Sequence, residues 1–171
     1  MQPSLIQQYP AAPSADAVRH FAAKLSVETD CSDVYAALQD VAAGRCQRDF
    51  VLLDVRSAAA YAKRHAAGAV SLPHRHISDE ILAAFGRGLT FVVYCAGPHC
   101  NGADQAAWKI ARLGYPVKLM SGGITGWADE GLPFAGLLDD TATPIGADSG
   151  ADPSSHTSSN VDATHVRCDC A

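Results

Sequence analysis

The run Phe50-Val51-Leu52-Leu53-Asp54-Val55 constrains the fold more than any other stretch of this chain. It is short, rich in branched residues and continuously apolar up to Asp54. A strand with one face in water would alternate with polar residues instead. Such an unbroken run is what a parallel sheet covered on both faces requires. The flanking pattern agrees. Ser57 is placed to cap a helix running to about residue 64. Residues 68–72 read as a short strand, 77–85 as a helix and 89–95 as a second apolar strand. A helix over 103–113 puts Ala103, Ala107, Ile110 and Ala111 on one face and stops at Gly114. A strand over 116–120 and a short helix over 124–130 follow. Upstream, Ser32 can cap a helix that places Val34, Leu38 and Val41 together and ends at Gly44. The alternation of strand and helix predicts an α/β fold: a mostly parallel central sheet with helices on both faces.

The two ends read differently from this middle. Residues 1–13 look like a mobile arm, 15–25 like a helix lying on the domain edge, and 26–29 like a short strand. This divides the chain into an N-terminal arm and helix over 1–26, a domain over 27–135, and a tail over 136–171. The tail is rich in Asp, Thr, Ser, Ala and Gly and is expected to be disordered. It carries Cys168-Asp169-Cys170 with His165 nearby, a set that lacks a fourth ligand for a closed tetrahedral site. A closed zinc site is therefore not expected, and a sulfur relay, a clip for a soft metal, a redox pair or an unused exposed pair stay open for these two cysteines.

Charge and cysteine usage exclude several classes. The formal net charge of −5, with no cluster of Lys and Arg, gives no electrostatic case for nucleic acid. No apolar run is long enough to span a bilayer. Residues 1–14 hold Gln, Pro and Tyr where an export signal would hold an apolar core, so export is not expected. The six cysteines are irregularly spaced, which favours reduced thiols in the cytoplasm over a disulfide framework.

The chemistry concentrates where the second apolar strand ends. Val92-Val93-Tyr94-Cys95 runs into the short loop Ala96-Gly97-Pro98-His99-Cys100-Asn101-Gly102, and a helix follows. A strand–loop–helix of this kind aims loop N–H groups and the positive end of the helix dipole at the sulfur. A thiol held there ionises more readily than its reference value of about 8.5, and the thiolate is the nucleophile. Asp54, Arg56, residues 73–76 and 121–123 also fall at carboxyl ends of strands, where ligands of such sheets bind. Asp54, Arg56 and His65 read as a polar network tying the helix after the first strand to the sheet. Gly122 and Gly123 allow a tight turn near the site, and Trp127, Cys31 and Cys46 read as structural.

Taken in order, Leu53-Asp54-Val55-Arg56-Ser57, Tyr61, His65-Ala66-Ala67-Gly68-Ala69-Val70-Ser71-Leu72-Pro73, the strand to Cys95, Gly114-Tyr115-Pro116-Val117, Gly122-Gly123 and Trp127 resemble the rhodanese family. The similarity runs from about residue 27 to 134. It implies the rhodanese-like fold and sulfur transfer: Cys95 accepts a sulfane sulfur from a small donor such as thiosulfate, becomes a persulfide, and yields the sulfur to a thiol or to cyanide. A protein thiol is a possible acceptor. Ala96, Gly97, His99, Cys100, Asn101 and Gly102 would hold the anionic sulfur, with no cofactor and no metal.

The loop departs from that family in ways that matter physically. Where many catalytic rhodanese loops have an Arg, this one has Cys100 and Asn101, the loop is slightly longer, and Pro98 removes one N–H donor. Positive charge would then come from His99, or from Arg75 with His74 and His76. Cys100 is either a resolving thiol for Cys95 or a stand-in for Ser. Two other functions are compatible with these residues: arsenate reductase or phosphatase-like oxyanion chemistry at Cys95, and a non-catalytic module for partner binding or redox sensing.

Overall fold

The computed structural model describes residues 2–137. At its centre, β2 (Phe50–Asp54) and β5 (Thr90–Tyr94) lie side by side and parallel, with Phe50 opposite Thr90 and Asp54 opposite Tyr94. Beyond β5 come β6 (Val117–Met120) and then β1 (Glu28–Thr29); beyond β2 comes β4 (Val70–Ser71). The five strands run in the order β1-β6-β5-β2-β4, and every pairing is parallel. Six helices connect them: α1 (Ser14–Val27), α2 (Cys31–Ala42), α3 (Ala58–Lys63), α4 (Asp79–Ala84), α5 (Gly102–Arg112) and α6 (Gly123–Asp129).

The pleat sorts the apolar runs into two cores. Val51, Leu53, Val55, Phe91, Val93 and Cys95 face Leu82 of α4 and Ala103, Ala106 and Ile110 of α5. Phe50, Leu52, Val92 and Tyr94 face Cys31 and Val34 of α2 and Ile124 and Trp127 of α6. Because side chains alternate across a strand, the neighbours Tyr94 and Cys95 belong to opposite faces of the sheet. Trp127 is fully buried; its indole N–H donates to the Pro133 carbonyl at 2.8 Å, and its ring meets Tyr35 edge-on. Its role is packing.

Several local expectations are corrected. Ser32 is not the cap of α2. The carboxylate of Asp30 accepts from the Asp33 N–H at 2.8 Å, so the helix begins at Cys31 and turns Cys31 and Val34 inward. The Ser32 hydroxyl, now in the first turn, reaches Glu130. Residues Ser26 and Val27 complete α1 and leave only Glu28–Thr29 in the strand. On α5 the buried stripe is Gly102, Ala103, Ala106 and Ile110, at helical spacing, while Ala111 is exposed. Cys46 is exposed in the loop after α2, and packs in neither core. His65–Ala66 (β3) and Phe134–Ala135 (β7) form a separate antiparallel pair that closes the end of the domain. Ser57 does cap α3, accepting from the Ala60 N–H.

The α1 helix rests on β6, where the Lys118 ammonium donates to the Leu25 carbonyl. No helix among the described residues is long and apolar enough to cross a membrane. His165, Cys168 and Cys170 lie outside the described residues.

Candidate functional site

Parallel topology delivers the carboxyl ends of the central strands to one edge, and backbone hydrogen bonds lace the segments that follow them. Val55 N–H donates to the Tyr94 carbonyl at 3.1 Å, and His74 N–H donates to the Val55 carbonyl at 3.1 Å. On the other side, Ile124 N–H donates to the Cys95 carbonyl at 3.0 Å and Thr125 N–H to the Ala96 carbonyl at 3.1 Å. Cys95 therefore stands in the middle of a fixed row, with its backbone held by the first turn of α6.

That contact requires glycine at 123. A Cβ there would lie 2.5 Å from the Cys95 carbonyl oxygen and 2.9 Å from the Gly97 nitrogen, and the backbone has φ +58°. Both conditions exclude an ordinary side chain. Gly122, at φ +86°, makes the turn that precedes it. The expectation of a tight turn beside the site holds at both positions.

Cys95 is only 2% exposed, and its sulfur lies on the α5 side. A Cβ at Gly102 would sit 2.9 Å from this sulfur and 3.4 Å from that of Cys100. The glycine that opens α5 thus makes room for two sulfurs at the helix N-terminus. There the first N–H groups have no carbonyl partner within the helix. Gly102 N–H points to the Cys100 sulfur at 3.5 Å. Cys95 and Cys100 are joined as a disulfide, their Cα atoms 6.4 Å apart. This corrects the expectation of reduced thiols throughout. A loop closed by the Cys100 N–H donating to Gly97 C=O at 3.0 Å brings the pair into bridging range.

The rest of the loop is only partly directed at the sulfur. Ala96 is buried, Gly97 half-buried, and Pro98, His99 and Asn101 are exposed. The Asn101 side-chain oxygen accepts from the Gln105 amide at 3.0 Å and is turned along α5. Arg75 is exposed in the 3-10 turn His74–His76 that packs on α5, where Lys109 Nζ donates to the His74 carbonyl at 2.9 Å. Burial, with Lys109 and Arg75 nearby, lowers the His74 pKa from 6.5, so its ring is neutral near pH 7. This direction weighs against His74 as the source of positive charge. Its Nδ1 is buried without a hydrogen-bond partner among the described residues. Lys109, which sequence reasoning passed over, is a further cation fixed near this edge. It sits seven residues past Gly102, about 10 Å along the helix, so its charge reaches the sulfur only weakly.

The polar network is real but has a different membership. Asp54 is fully buried; its carboxylate pairs with the Arg56 guanidinium at 2.6 Å and accepts from the Tyr94 hydroxyl at 2.7 Å. Tyr94 Oη in turn accepts from the Ala66 N–H at 3.1 Å, and Arg56 donates to the Arg64 carbonyl at 2.7 Å. Burial and the adjacent Asp54 carboxylate push the Tyr94 phenol far above its ordinary value, so it stays a donor. His65 is outside this network. Its Nδ1 meets the Tyr61 carbonyl at 2.8 Å and its ring stacks on Tyr61. The sequence signal for Tyr94 was there: a tyrosine on a buried strand must find a partner for its hydroxyl.

Cys31 lies on the opposite face of the sheet, buried, donating its S–H to the carbonyls of Ser121 and Gly123. Burial, reinforced by Glu130, Asp30 and Asp129, pushes this thiol up to about 11. It is a structural thiol. Among the described residues no group of three or more His, Cys, Asp or Glu is arranged to hold a metal ion.

Comparison with known proteins agrees with this architecture. The family model described as "Rhodanese-like domain" matches residues 36–130. The crystal structure of the BH2092 protein from Bacillus halodurans is 36% identical, with a TM-score of 0.66, covering 74% of this chain and 88% of that one. The rhodanese-like domain of the Anabaena Alr3790 protein, 24% identical, shares the fold with a TM-score of 0.56 over 79% of this chain and 97% of its own. A thiosulfate sulfurtransferase from Pseudomonas aeruginosa, also 24% identical, superposes with a TM-score of 0.51 over 66% of this chain but 20% of that chain. No curated protein gives a significant match.

Proposed function

The chain belongs to the rhodanese-like domain family, and from that premise we propose that it is a sulfurtransferase acting through a persulfide on Cys95. The reduced Cys95 thiolate attacks the outer sulfur of a donor such as thiosulfate. A bond forms between the two sulfurs, the sulfur–sulfur bond of the donor breaks, and sulfite leaves with the electron pair. A thiol or cyanide acceptor then takes the outer sulfur and returns Cys95 as thiolate. Neither step needs a general base if the thiolate is already favoured, and neither needs a metal.

One observation carries the reading: a buried cysteine ends the central strand directly against the first residue of α5, with glycine there to admit its sulfur. N–H groups at that helix end favour an anion. Residues 96–102 contain no Lys or Arg. This weighs against oxyanion chemistry on arsenate or phosphate esters, whose multiple charges call for a cation in the loop. The same lack favours donors of low charge over thiosulfate. We further propose that the partners are a small sulfur donor and a thiol acceptor, with Ala96, Gly97, His99 and Arg75 bordering the donor. A reducing compartment such as the cytoplasm suits this chemistry, because Cys95 must be released from Cys100 before it can act.

Intact mass of the reduced protein, taken after incubation with thiosulfate and separately with 3-mercaptopyruvate, tests the reading. A gain of about 32 Da, removed by cyanide and missing in Cys95→Ser, is the expected result. No gain with either donor, with Cys95 demonstrably reduced, would leave sulfur transfer from these donors without support.

A further inference from the structure

We propose that Cys100 is the resolving cysteine of this site: it expels the sulfur carried by Cys95 as hydrosulfide, leaving the Cys95–Cys100 disulfide for an external dithiol to reduce. The step rests on Cys95 taking up a sulfane sulfur. It adds a product and a partner that transfer to a thiol acceptor does not require.

The geometry points to the inner sulfur as the target. Cys100 is bonded to Cys95 Sγ itself, so the atom within its reach is the one that remains when the outer sulfur departs. The two cysteines are five residues apart in one loop, and their approach uses only the turn closed by Cys100 N–H on Gly97 C=O. Gly102 serves both atoms. A side chain there would crowd each sulfur, and its N–H faces Cys100 Sγ, where it favours the anionic form that attacks. Exposure divides the roles. Cys95 is 2% exposed, whereas Cys100 is half-buried at the loop rim, so a thiol arriving from solvent meets Cys100 first.

The Cys100 thiolate attacks Cys95 Sγ; a bond forms between these sulfurs, and the bond from Cys95 Sγ to the outer sulfur breaks. The outer sulfur leaves with the electron pair and takes a proton from water as hydrosulfide. The protein thiols are oxidised by two electrons and the sulfane sulfur is reduced by two. A dithiol reductant then attacks the more exposed Cys100 and resolves the mixed disulfide with its second thiol. It leaves as a disulfide and restores both protein thiols.

The test follows a loaded protein with no thiol present. Fully reduced full-length protein is loaded with thiosulfate, and separately with 3-mercaptopyruvate, then desalted anaerobically. Hydrosulfide and mass are read over time for the wild type, Cys100→Ser and Cys100→Ala. Both cysteines fall in one tryptic peptide, residues 88–109, so their disulfide appears there as a loss of about 2 Da. The wild type is expected to release about one equivalent of hydrosulfide and to end with that loss. Both variants are expected to hold the added sulfur, about 32 Da, and to release hydrosulfide at least about tenfold more slowly. A wild type that keeps the added sulfur as long as the variants do, or moves it to Cys100 without release, overturns the resolving role alone. Absence of the added sulfur in all three proteins overturns sulfur uptake, and the resolving role with it.

Discussion

Cys31 and Cys95 are almost equally buried, at 1% and 2% exposure, and both touch the segment around Gly122 and Gly123. They nevertheless sit in opposite chemical settings. The Cys31 sulfur is surrounded by acceptors: two backbone carbonyls, with Glu130, Asp30 and Asp129 nearby. A thiolate there would face oxygen on every polar side, so the proton stays. The Cys95 sulfur lies on the other face of the sheet, against Gly102 at the N-terminal end of α5, where the first N–H groups have no carbonyl partner within the helix. The comparison teaches that burial alone does not decide a cysteine's role. On the proposed reading the direction of the surrounding peptide dipoles does, and topology sets that direction: a strand entering a helix through a short loop presents N–H groups, while the flank of a turn presents C=O.

The largest expected effect separates the two sulfurs outright. Cys95→Ser should lower kcat/KM for sulfur transfer by about 1000-fold or more, since the nucleophile and carrier is gone. Cys31→Ala should leave turnover within about twofold. It should instead cost about 1–2 kcal/mol in urea denaturation, from a small cavity and the loss of the thiol's contacts with the Ser121 and Gly123 carbonyls. Equal kinetic effects would break the comparison.

Gly123 is the hinge between the two regions, and Gly123→Ala should cost about 3 kcal/mol or more. Its Cβ would overlap the Cys95 carbonyl oxygen, and φ +58° is unfavourable for alanine. A denaturation midpoint unchanged from wild type would contradict the close packing of the two segments.

A matched pair of smaller changes sharpens the contrast. Gly102→Ala, with a Cβ 2.9 Å from Cys95 Sγ, should lower kcat/KM by about tenfold or more through displacement of the loop. Gly126→Ala, with a Cβ 3.3 Å from Cys31 Sγ, should leave kcat/KM within about twofold. Its crowding is offset by better helix propensity, so stability should change by less than about 1 kcal/mol.

The smallest effect is in the pH dependence of stability. The Cys31 thiol has its value raised in the folded state, from 9.0 to about 11. A raised value means its contribution is complete below about 9 and is lost as pH rises towards 11, because the unfolded chain releases the proton first. Urea midpoints should fall across that window in the wild type and fall less in Cys31→Ala. Parallel curves would show that the carbonyl cage does not hold the proton.

Much of this arrangement was legible in the residues. The continuous apolar runs ending at Val55 and Cys95 could only be central strands, and the alternation with helices made them parallel. That in turn brought Asp54 and Cys95 to one edge. What stayed hidden depends on contacts between distant segments. Tyr94 pairs with Asp54 because the register of β2 on β5 sets them opposite each other, and an unbroken apolar run carries no register mark. His65 could go to Asp54 or to Tyr61, and only the fold of β3 against β7 decides. Asp30 and Ser32 are both competent caps; the choice fell to the one that buries Cys31 and Val34. Lys109 gave no signal, because a lysine on an amphipathic helix is ordinary until its ammonium is seen against the His74 carbonyl.

The most direct test of the contrast is the alkylation rate of each cysteine in the reduced, folded protein, using iodoacetamide near neutral pH and peptide mapping. Cys31 lies in residues 25–45 and Cys95 in residues 88–109, with fragmentation separating Cys95 from Cys100. Cys95 should react at least about tenfold faster than Cys31, which should take label only when urea unfolds the chain. Equal rates for these two equally buried sulfurs, or faster labelling of Cys31, would contradict the claim that the surrounding dipoles choose the nucleophile.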